Sequence, residues 1–347
     1  MTRLTHVQLK APYLILIGDV PDPTSAKTGL GIVQWRRERV AGQLRFANCN
    51  VDLGVPDLSI PEAVEAGVKS LVIGVAPAGG AMPDSWWAAI EEAARAGLDI
   101  VCGLHIKLSD RPTLVTAAQN SGAELIDVRT PPTSLPIGTD RKRSGKRLLM
   151  VGTDCAVGKK YTALALSQCM NNSGLNATFR ATGQTGIMLA GEGIPIDSVV
   201  ADFISGAAEM ISPDNSADHW DVIEGQGSLL HPGYSGVSLG LLHGSQPDAF
   251  VVCHEAGRTM SDEGHRLRSI AECIEIHTVA GRLTNPDIHC VGISVNTSTL
   301  PEQERSDYLA RLSNETGLPC VDPLGGGCDA IVENLTQRFP EYNENSV

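Results

Sequence analysis

Leu148-Leu-Met-Val-Gly152-Thr-Asp-Cys-Ala-Val-Gly-Lys159 decides the fold of this chain. A short apolar run ends in glycine, five residues separate that glycine from Gly158, and Lys159 opens a helical stretch that continues to about Met170. Glycines let such a loop wrap closely, its successive N–H groups and the helix N-terminus face an anion, and the lysine adds a mobile positive charge. The Gly-x5-Gly-Lys spacing is one residue longer than the common phosphate loop. The expected contacts to a bound phosphate or pyrophosphate are Gly152, Thr153, Cys155, Ala156, Val157, Gly158, Lys159, Lys160, Tyr161 and Thr162.

A nucleotide-hydrolysing loop carries Ser or Thr directly after its lysine to hold Mg²⁺. Here Lys160 and Tyr161 follow, and a hydroxyl returns only at Thr162. A second cation suits a pyrophosphate held without magnesium, as in coenzyme A, so no metal is expected. The open alternative gives the metal to Thr162 or to water.

Outward from the loop, Asp221-Val-Ile-Glu, Ala249-Phe-Val-Val-Cys and Cys290-Val-Gly-Ile-Ser-Val read as buried strands, with helices near 197–210, 266–280 and 301–316. On the N-terminal side, Tyr13-Leu-Ile-Leu-Ile-Gly18, Leu71-Val-Ile-Gly-Val, Ile100-Val-Cys-Gly and Glu124-Leu-Ile-Asp-Val are short β-branched runs. Between them lie helical stretches: one from Asp84 closed by Gly97, another from Ser109, Asp110 and Pro112 closed by Gly122. Strands alternating with helices at this spacing make βαβ units and parallel sheets. Thr130-Pro-Pro-Thr-Ser-Leu-Pro and the basic run 141–147 break the rhythm. The fold class is therefore α/β: a Rossmann-like domain over 1–140, then a P-loop NTPase-like domain with a mainly parallel sheet over 141–347, with a cleft expected between them. The basic run is expected to be a solvated linker, or else to touch a ribose phosphate.

Composition narrows the function. At 347 residues the chain exceeds one ordinary core, and 42% hydrophobic with 36 glycines suits a packed, turn-rich enzyme. A formal charge of −13 excludes the basic face that nucleic-acid binding needs, so an anionic ligand has to be held locally. Nine dispersed cysteines without a C-x-x-C pair suit a reducing cytosol, not a disulfide framework or zinc site. The run Tyr13 to Ile17 is too short to span a membrane and no signal-peptide pattern accompanies it. The expectation is a cytoplasmic homo-oligomer acting on small molecules, without nucleic-acid or membrane partners.

Downstream of the loop, Glu224-Gly-Gln-Gly-Ser-Leu-Leu-His231-Pro ends a hydrophobic strand in an acid followed by glycines. Such an acid lies beside the phosphate loop and can hold a metal or accept a proton. The pair Gly152-Thr-Asp-x-x-Val-Gly-Lys159 and Glu224-Gly-x-Gly resembles the dethiobiotin-synthetase branch of P-loop enzymes. With Gln184-Thr-Gly186 and the following Ser-Leu-x-His-Pro, nearly the full chain resembles a family once known only as a domain of unknown function. Its members are D-glutamate N-acetyltransferases that use acetyl-coenzyme A. The resemblance implies acetyl-CoA as co-substrate and a D-amino acid as acceptor.

Acetyl transfer needs an unprotonated amine close to the thioester carbonyl. Glu224 and His231 are candidates for taking the amine proton, and Asp154 for binding the ammonium. Cys155, near a helix N-terminus with an expected low pKa, makes an acetyl-cysteine route chemically possible, but direct attack is preferred. A dicarboxylate needs cationic or N–H partners, for which Lys27, Arg180, Arg258 and the Gly79-Gly80 loop are the candidates. The competing class is an ATP- and Mg²⁺-dependent ligase or kinase of dethiobiotin-synthetase type, with Thr162 and Glu224 on the metal.

Overall fold

The computed structural model describes residues 4–23, 25–76 and 82–340. It divides into two compact units, one of Thr5–Pro131 with Gln184–Pro195, the other mainly of 132–183 with 196–340.

In the first unit β2 (Tyr13–Gly18), β3 (Val40–Arg45), β4 (Ser70–Ile73), β5 (Asp99–Cys102) and β6 (Leu125–Asp127) form one parallel sheet in the order β3-β2-β4-β5-β6. This is a doubly wound, Rossmann-like sheet whose strand order reverses between β2 and β4. Three central strands are wholly buried, as their Val, Ile and Leu content predicts. The edge strand β3 escapes the apolar pattern because Gln43 sits inside it. Gln43 is fully buried, and its amide donates to Asp52 and to the Val55 carbonyl at 2.8 and 2.9 Å. Around the sheet lie α1 (Lys27–Arg36), α2 (Ile60–Glu65), α3 (Asp84–Arg95) and α4 (Pro112–Ser121). Gly122 ends α4 in the left-handed conformation, as expected of a C-terminal glycine.

The segment Gln184–Pro195 follows the phosphate loop in sequence yet belongs to this first unit. Its α6 (Gln184–Ala190) packs on α1, with the hydroxyls of Thr28 and Thr185 at 3.2 Å and Arg36 Nη2 donating to the Leu189 carbonyl. Its β9 (Glu192–Gly193) pairs antiparallel with β1 (Thr5–His6). Gln184 Oε1 accepts from Arg129 Nε at 2.8 Å.

In the second unit β7 (Lys146–Gly152), β8 (Asn176–Arg180), β10 (His219–Ile223), β11 (Ala249–Glu255), β12 (His289–Asn296) and β13 (Cys320–Val321) form a wholly parallel sheet in the order β13-β12-β11-β7-β10-β8. The central strand β7 delivers the loop, and α5 (Lys159–Asn172) leaves it. The helix expected near 197–210 is shorter than its apolar stretch: two 3₁₀ turns precede α7 (Ile204–Ile211). The chain then continues through α8 (Ser235–Ser245), α9 (Ile270–Gly281), α10 (Glu302–Thr316) and α11 (Asp329–Arg338). Among the described residues no helix is long and apolar enough to cross a membrane.

The basic run is not the solvated linker its charge suggests. Arg143 and Arg147 are buried at the amino end of β7. Arg143 donates to the carbonyls of Glu209, Ser212, Gly244 and Ser245, which terminate α7 and α8. Arg147 donates to Ser212 Oγ at 2.9 Å, and the Ser212 hydroxyl donates in turn to Asp221 Oδ2 at 2.6 Å. Helix-terminal carbonyls need donors, and a guanidinium supplies several in one plane. From Arg147 to the loop at Gly152 is roughly 16 Å of strand, so these arginines serve the far edge of the sheet and not a phosphate. Arg147→Ala removes the donor from Ser212 Oγ and the Arg143 carbonyl in the buried interior, and from the half-buried carbonyls of Ser144 and Gly145. The expected loss is roughly 3 kcal/mol of stability, read as a lower urea midpoint for the unfolding transition of this unit. An unchanged midpoint would contradict a structural role for the run.

Candidate active site at the phosphate loop

The loop is built by conformation as much as by charge. Ala156 and Gly158 both have positive φ, +57° and +103°, and the second caps α5 in a region that suits glycine. Thr153 N–H donates to the Cys253 carbonyl at 3.1 Å, and Ser228 Oγ donates to the Gly152 carbonyl at 2.8 Å, so both neighbouring strand ends brace the loop. The Lys159 amine is buried and donates to the carbonyl of Asp154 at 2.7 Å, inside the turn of the loop. Burial pulls its pKa down, and a bound anion would restore it.

The start of α5 differs from a magnesium-binding one. Lys160 stands where a hydroxyl would, with its ammonium over the Tyr161 ring at 4.3 Å from the centroid. Thr162 Oγ1 donates to the Gly158 carbonyl at 3.1 Å and shares a 2.7 Å hydrogen bond with Ser294 Oγ. It is buried between helix and sheet, which commits it to packing. Val157 is also buried, whereas Ala156 is exposed. Cys155 does not have the low pKa its helix-end position suggests, because burial pushes its thiol up and the nearby Lys159 only partly offsets this.

Asp154 and Arg258 meet. Arg258 Nη2 donates to Asp154 Oδ2 at 2.7 Å, while Glu255 and Asp262 also pair with the guanidinium at 3.0 and 3.1 Å. Burial works against the Arg258 charge, yet these three acids raise its pKa overall. Asp154 is 1% exposed, its Oδ1 accepts no hydrogen bond, and Arg258 Nε donates none. One buried ion pair thus presents an idle acceptor and an idle donor.

Glu224 follows β10 and is 3% exposed. Its Oε2 accepts the N–H groups of Thr182 and Gly183 at 3.0 and 2.9 Å. Burial raises its pKa, with those two N–H groups and Lys160 opposing. Gly225 follows because nothing larger fits: a Cβ there would lie 1.7 Å from the Met150 carbonyl oxygen of β7. That close approach places Glu224 against the loop strand.

His231 is buried, and both its nitrogens are engaged. Gly233 N–H donates to Nδ1 at 3.1 Å, so Nε2 carries the proton and donates to Glu263 at 2.9 Å. His231 in turn holds Glu263 below the ordinary glutamate pKa. Glu263 gives no signal in the sequence, being 32 residues away. His254 also escapes sequence reading: its Nδ1 lies 2.9 Å from the Thr153 hydroxyl, and burial lowers its pKa.

Of the other predicted contacts, Arg180 turns from the loop toward Asp221, at 2.7 Å, in the network that includes His219 and Ser212. Lys27 opens α1 in the Rossmann-like unit and is exposed. Gly79 and Gly80 lie outside the described residues.

Fold and site together define a two-domain α/β protein, Rossmann-like and then P-loop, with a phosphate loop flanked by buried acids. Residues 136–332 match the P-loop domain of DUF1611, a domain of unknown function, and 44–131 match its Rossmann-like N-terminal domain. The chain is 49% identical over 331 residues to a D-glutamate N-acetyltransferase of a Pseudoalteromonas species, spanning 95% of this chain and 100% of that one. A D-glutamate N-acetyltransferase of Tritonibacter scottomollicae is 45% identical over 329 residues, spanning 94% and 99%. The crystal structure of a DUF1611 family protein from Anabaena variabilis superposes with a TM-score of 0.87 at 34% identity, covering 94% of this chain and 100% of that chain. The chain belongs to the DUF1611 family, and in common with these relatives it is an acyltransferase.

Gly225→Ala tests the geometry of the site. The Met150 oxygen is backbone and cannot swing aside, so the variant is expected to lose more than about 3 kcal/mol or fail to fold. A Gly225→Ala protein that melts with the wild type would show that β7 and β10 do not approach as described.

Proposed function

We propose that this protein moves the acetyl group of acetyl-coenzyme A to the amine of D-glutamate by direct attack. Identity of 49% and 45% to D-glutamate N-acetyltransferases over nearly the whole chain supports the reaction and the acceptor. The observation that carries the choice of donor is the start of α5. A pyrophosphate there meets two ammonium groups, Lys159 and Lys160, while the hydroxyl at Thr162 is committed to Gly158 and Ser294. That favours a phosphate group held for binding over one held with Mg²⁺ for transfer.

Coenzyme A, when bound, supplies an acetyl group already activated as a thioester. The loop from Gly152 through Lys160 holds its pyrophosphate, with backbone N–H groups and the N-terminus of α5 directed at the charge. Asp154, through its idle Oδ1, holds the incoming ammonium, and Arg258 beside it offers Nε to a carboxylate of the amino acid. Glu224 takes the proton that the amine must lose. Its raised pKa makes it a stronger base than an exposed glutamate, while Thr182 and Gly183 hold it in place. The new C–N bond forms as the C–S bond breaks. The proton that Glu224 takes from the nitrogen goes on to the departing sulfur, which leaves as the free thiol, and the other proton that the ammonium loses goes to water. His231, whose two nitrogens are taken by Gly233 and Glu263, packs against Tyr234 and His265 beside the site and leaves the proton transfer to Glu224.

A thiol-release assay with acetyl-CoA and D-glutamate tests the reading, with ATP and Mg²⁺ as the parallel arm. Free coenzyme A is expected only when the amino acid is present. Magnesium-dependent ATP turnover without thiol release would overturn the proposal in favour of a ligase or kinase. Lys159→Ala is expected to raise KM for acetyl-CoA, since it removes a cation from the phosphates.

Glu224→Gln is expected to lower kcat by about two orders of magnitude or more. The sign of the pH dependence follows from burial. A raised pKa means the base form is lost earlier on acidification, so kcat should fall with decreasing pH along a limb lying above the ordinary glutamate range. The same limb persisting in Glu224→Gln would assign the base to another residue.

A further inference from the structure

We infer that the protein pairs with a second copy of itself through the outer face of α9, in an antiparallel helix contact about a two-fold axis. The helix is firmly built: Ser269 and Glu272 form a reciprocal capping box at its start. Its inner face buries Cys273, His277 and Gly281, four residues apart each time. Its outer face is apolar. Ile276 and Val279, three residues apart on the helix, are 40% and 62% exposed, and Leu283, in the turn just past the C-cap, is 74% exposed. Scattered exposed apolar residues are ordinary, whereas a line of them along one helix side marks an interaction surface. The neighbouring α8, tied to α9 where His243 Nε2 lies 3.0 Å from the Ala280 carbonyl, adds a half-exposed Leu239.

The flanking charges identify the occupant as a second copy. Glu275 and Arg282 are exposed, and among the described residues neither side chain joins an ion pair. With about 3.6 residues per turn, Glu275 and the C-cap Arg282, which keeps helical backbone angles, fall on one flank of Val279, while Ile276 falls on the other. A two-fold axis perpendicular to the helix, level with the point between Thr278 and Val279, maps each flank onto itself and reverses its direction. Glu275 lies as far before that point as Arg282 lies beyond it. Each glutamate therefore comes level with the arginine of the other copy, twice over by symmetry. On the opposite flank the same operation carries Ile276 toward the end of α9 in the other copy, where the turn bearing Leu283 follows, and Val279 packs at the centre. A chain with a formal charge of −13 resists random self-association. This face cancels its own charge on pairing, whereas an unrelated partner would need the same pattern by coincidence.

Sedimentation velocity across a dilution series, with a charge swap, tests the pairing. Val279→Asp should halve the mass of the assembly, and Glu275→Arg should weaken it about tenfold by setting like charges opposite each other. The double variant Glu275→Arg with Arg282→Glu restores opposite charges and should return the wild-type association. All three substituted positions are exposed, so thermal midpoints and thiol release per chain should stay near wild type. A monomeric wild type, an assembly indifferent to Val279→Asp, or a double variant no stronger than Glu275→Arg would each overturn the proposal.

Discussion

A buried ammonium must find oxygen, and in the P-loop unit the Lys159 amine finds it in the carbonyl of Asp154, a residue of its own loop. That bond closes the loop on itself, and much of the surrounding structure follows from it. Thr153 is pinned to β11 and Gly152 to Ser228, so the curve that brings the carbonyl to the lysine cannot relax. Gly158 takes the left-handed backbone that turns the chain into α5. An anion entering the loop competes for the lysine with a single neutral carbonyl, and a charged partner wins that competition easily.

The acids are arranged so that they do not close the loop to anions. Asp154 is as buried as the lysine, but its carboxylate is turned to Arg258, which is shared with Glu255 and Asp262. Glu224 is neutralised in part by two backbone N–H groups, with Lys160 acting on it electrostatically. An overall negative chain can therefore hold a polyanion, because the negative charge near the loop is already matched locally. The idle atoms, Asp154 Oδ1 and Arg258 Nε, are one acceptor and one donor within a single ion pair.

Much of this was legible in the sequence wherever one local pattern determines the outcome. The strand, loop and helix around Gly152 to Lys159 were read with their termini nearly in place, and so were the Val- and Ile-rich central strands of both sheets. Reading failed where distant groups decide. The edge strands β3 and β8 carry Gln43, Arg45, Asn176 and Arg180, whose polarity masks the pattern and is satisfied only by partners elsewhere in the fold. The run from Arg141 to Arg147 has the composition of a solvated linker, yet Arg143 is buried because helix ends far along the chain present carbonyls to it, and Arg147 because it donates to Ser212 and to carbonyls of its own run. Glu263 and His254 join the site through contacts that span 32 and 101 residues. No periodicity encodes such contacts.

Gln184-Thr-Gly186 carries the same lesson into function. Thr182 and Gly183, immediately before it, serve Glu224 in the P-loop unit. Gln184 and Thr185, the next two residues, bond to Arg129 and Thr28 in the Rossmann-like unit. The chain thus passes from one unit to the other at the very residues that hold the proposed base, within a single peptide step of its hydrogen-bond donors. The Thr182 and Gly183 N–H groups oppose the burial-raised pKa of Glu224, across separations of 42 and 41 residues that motif spacing alone does not reveal.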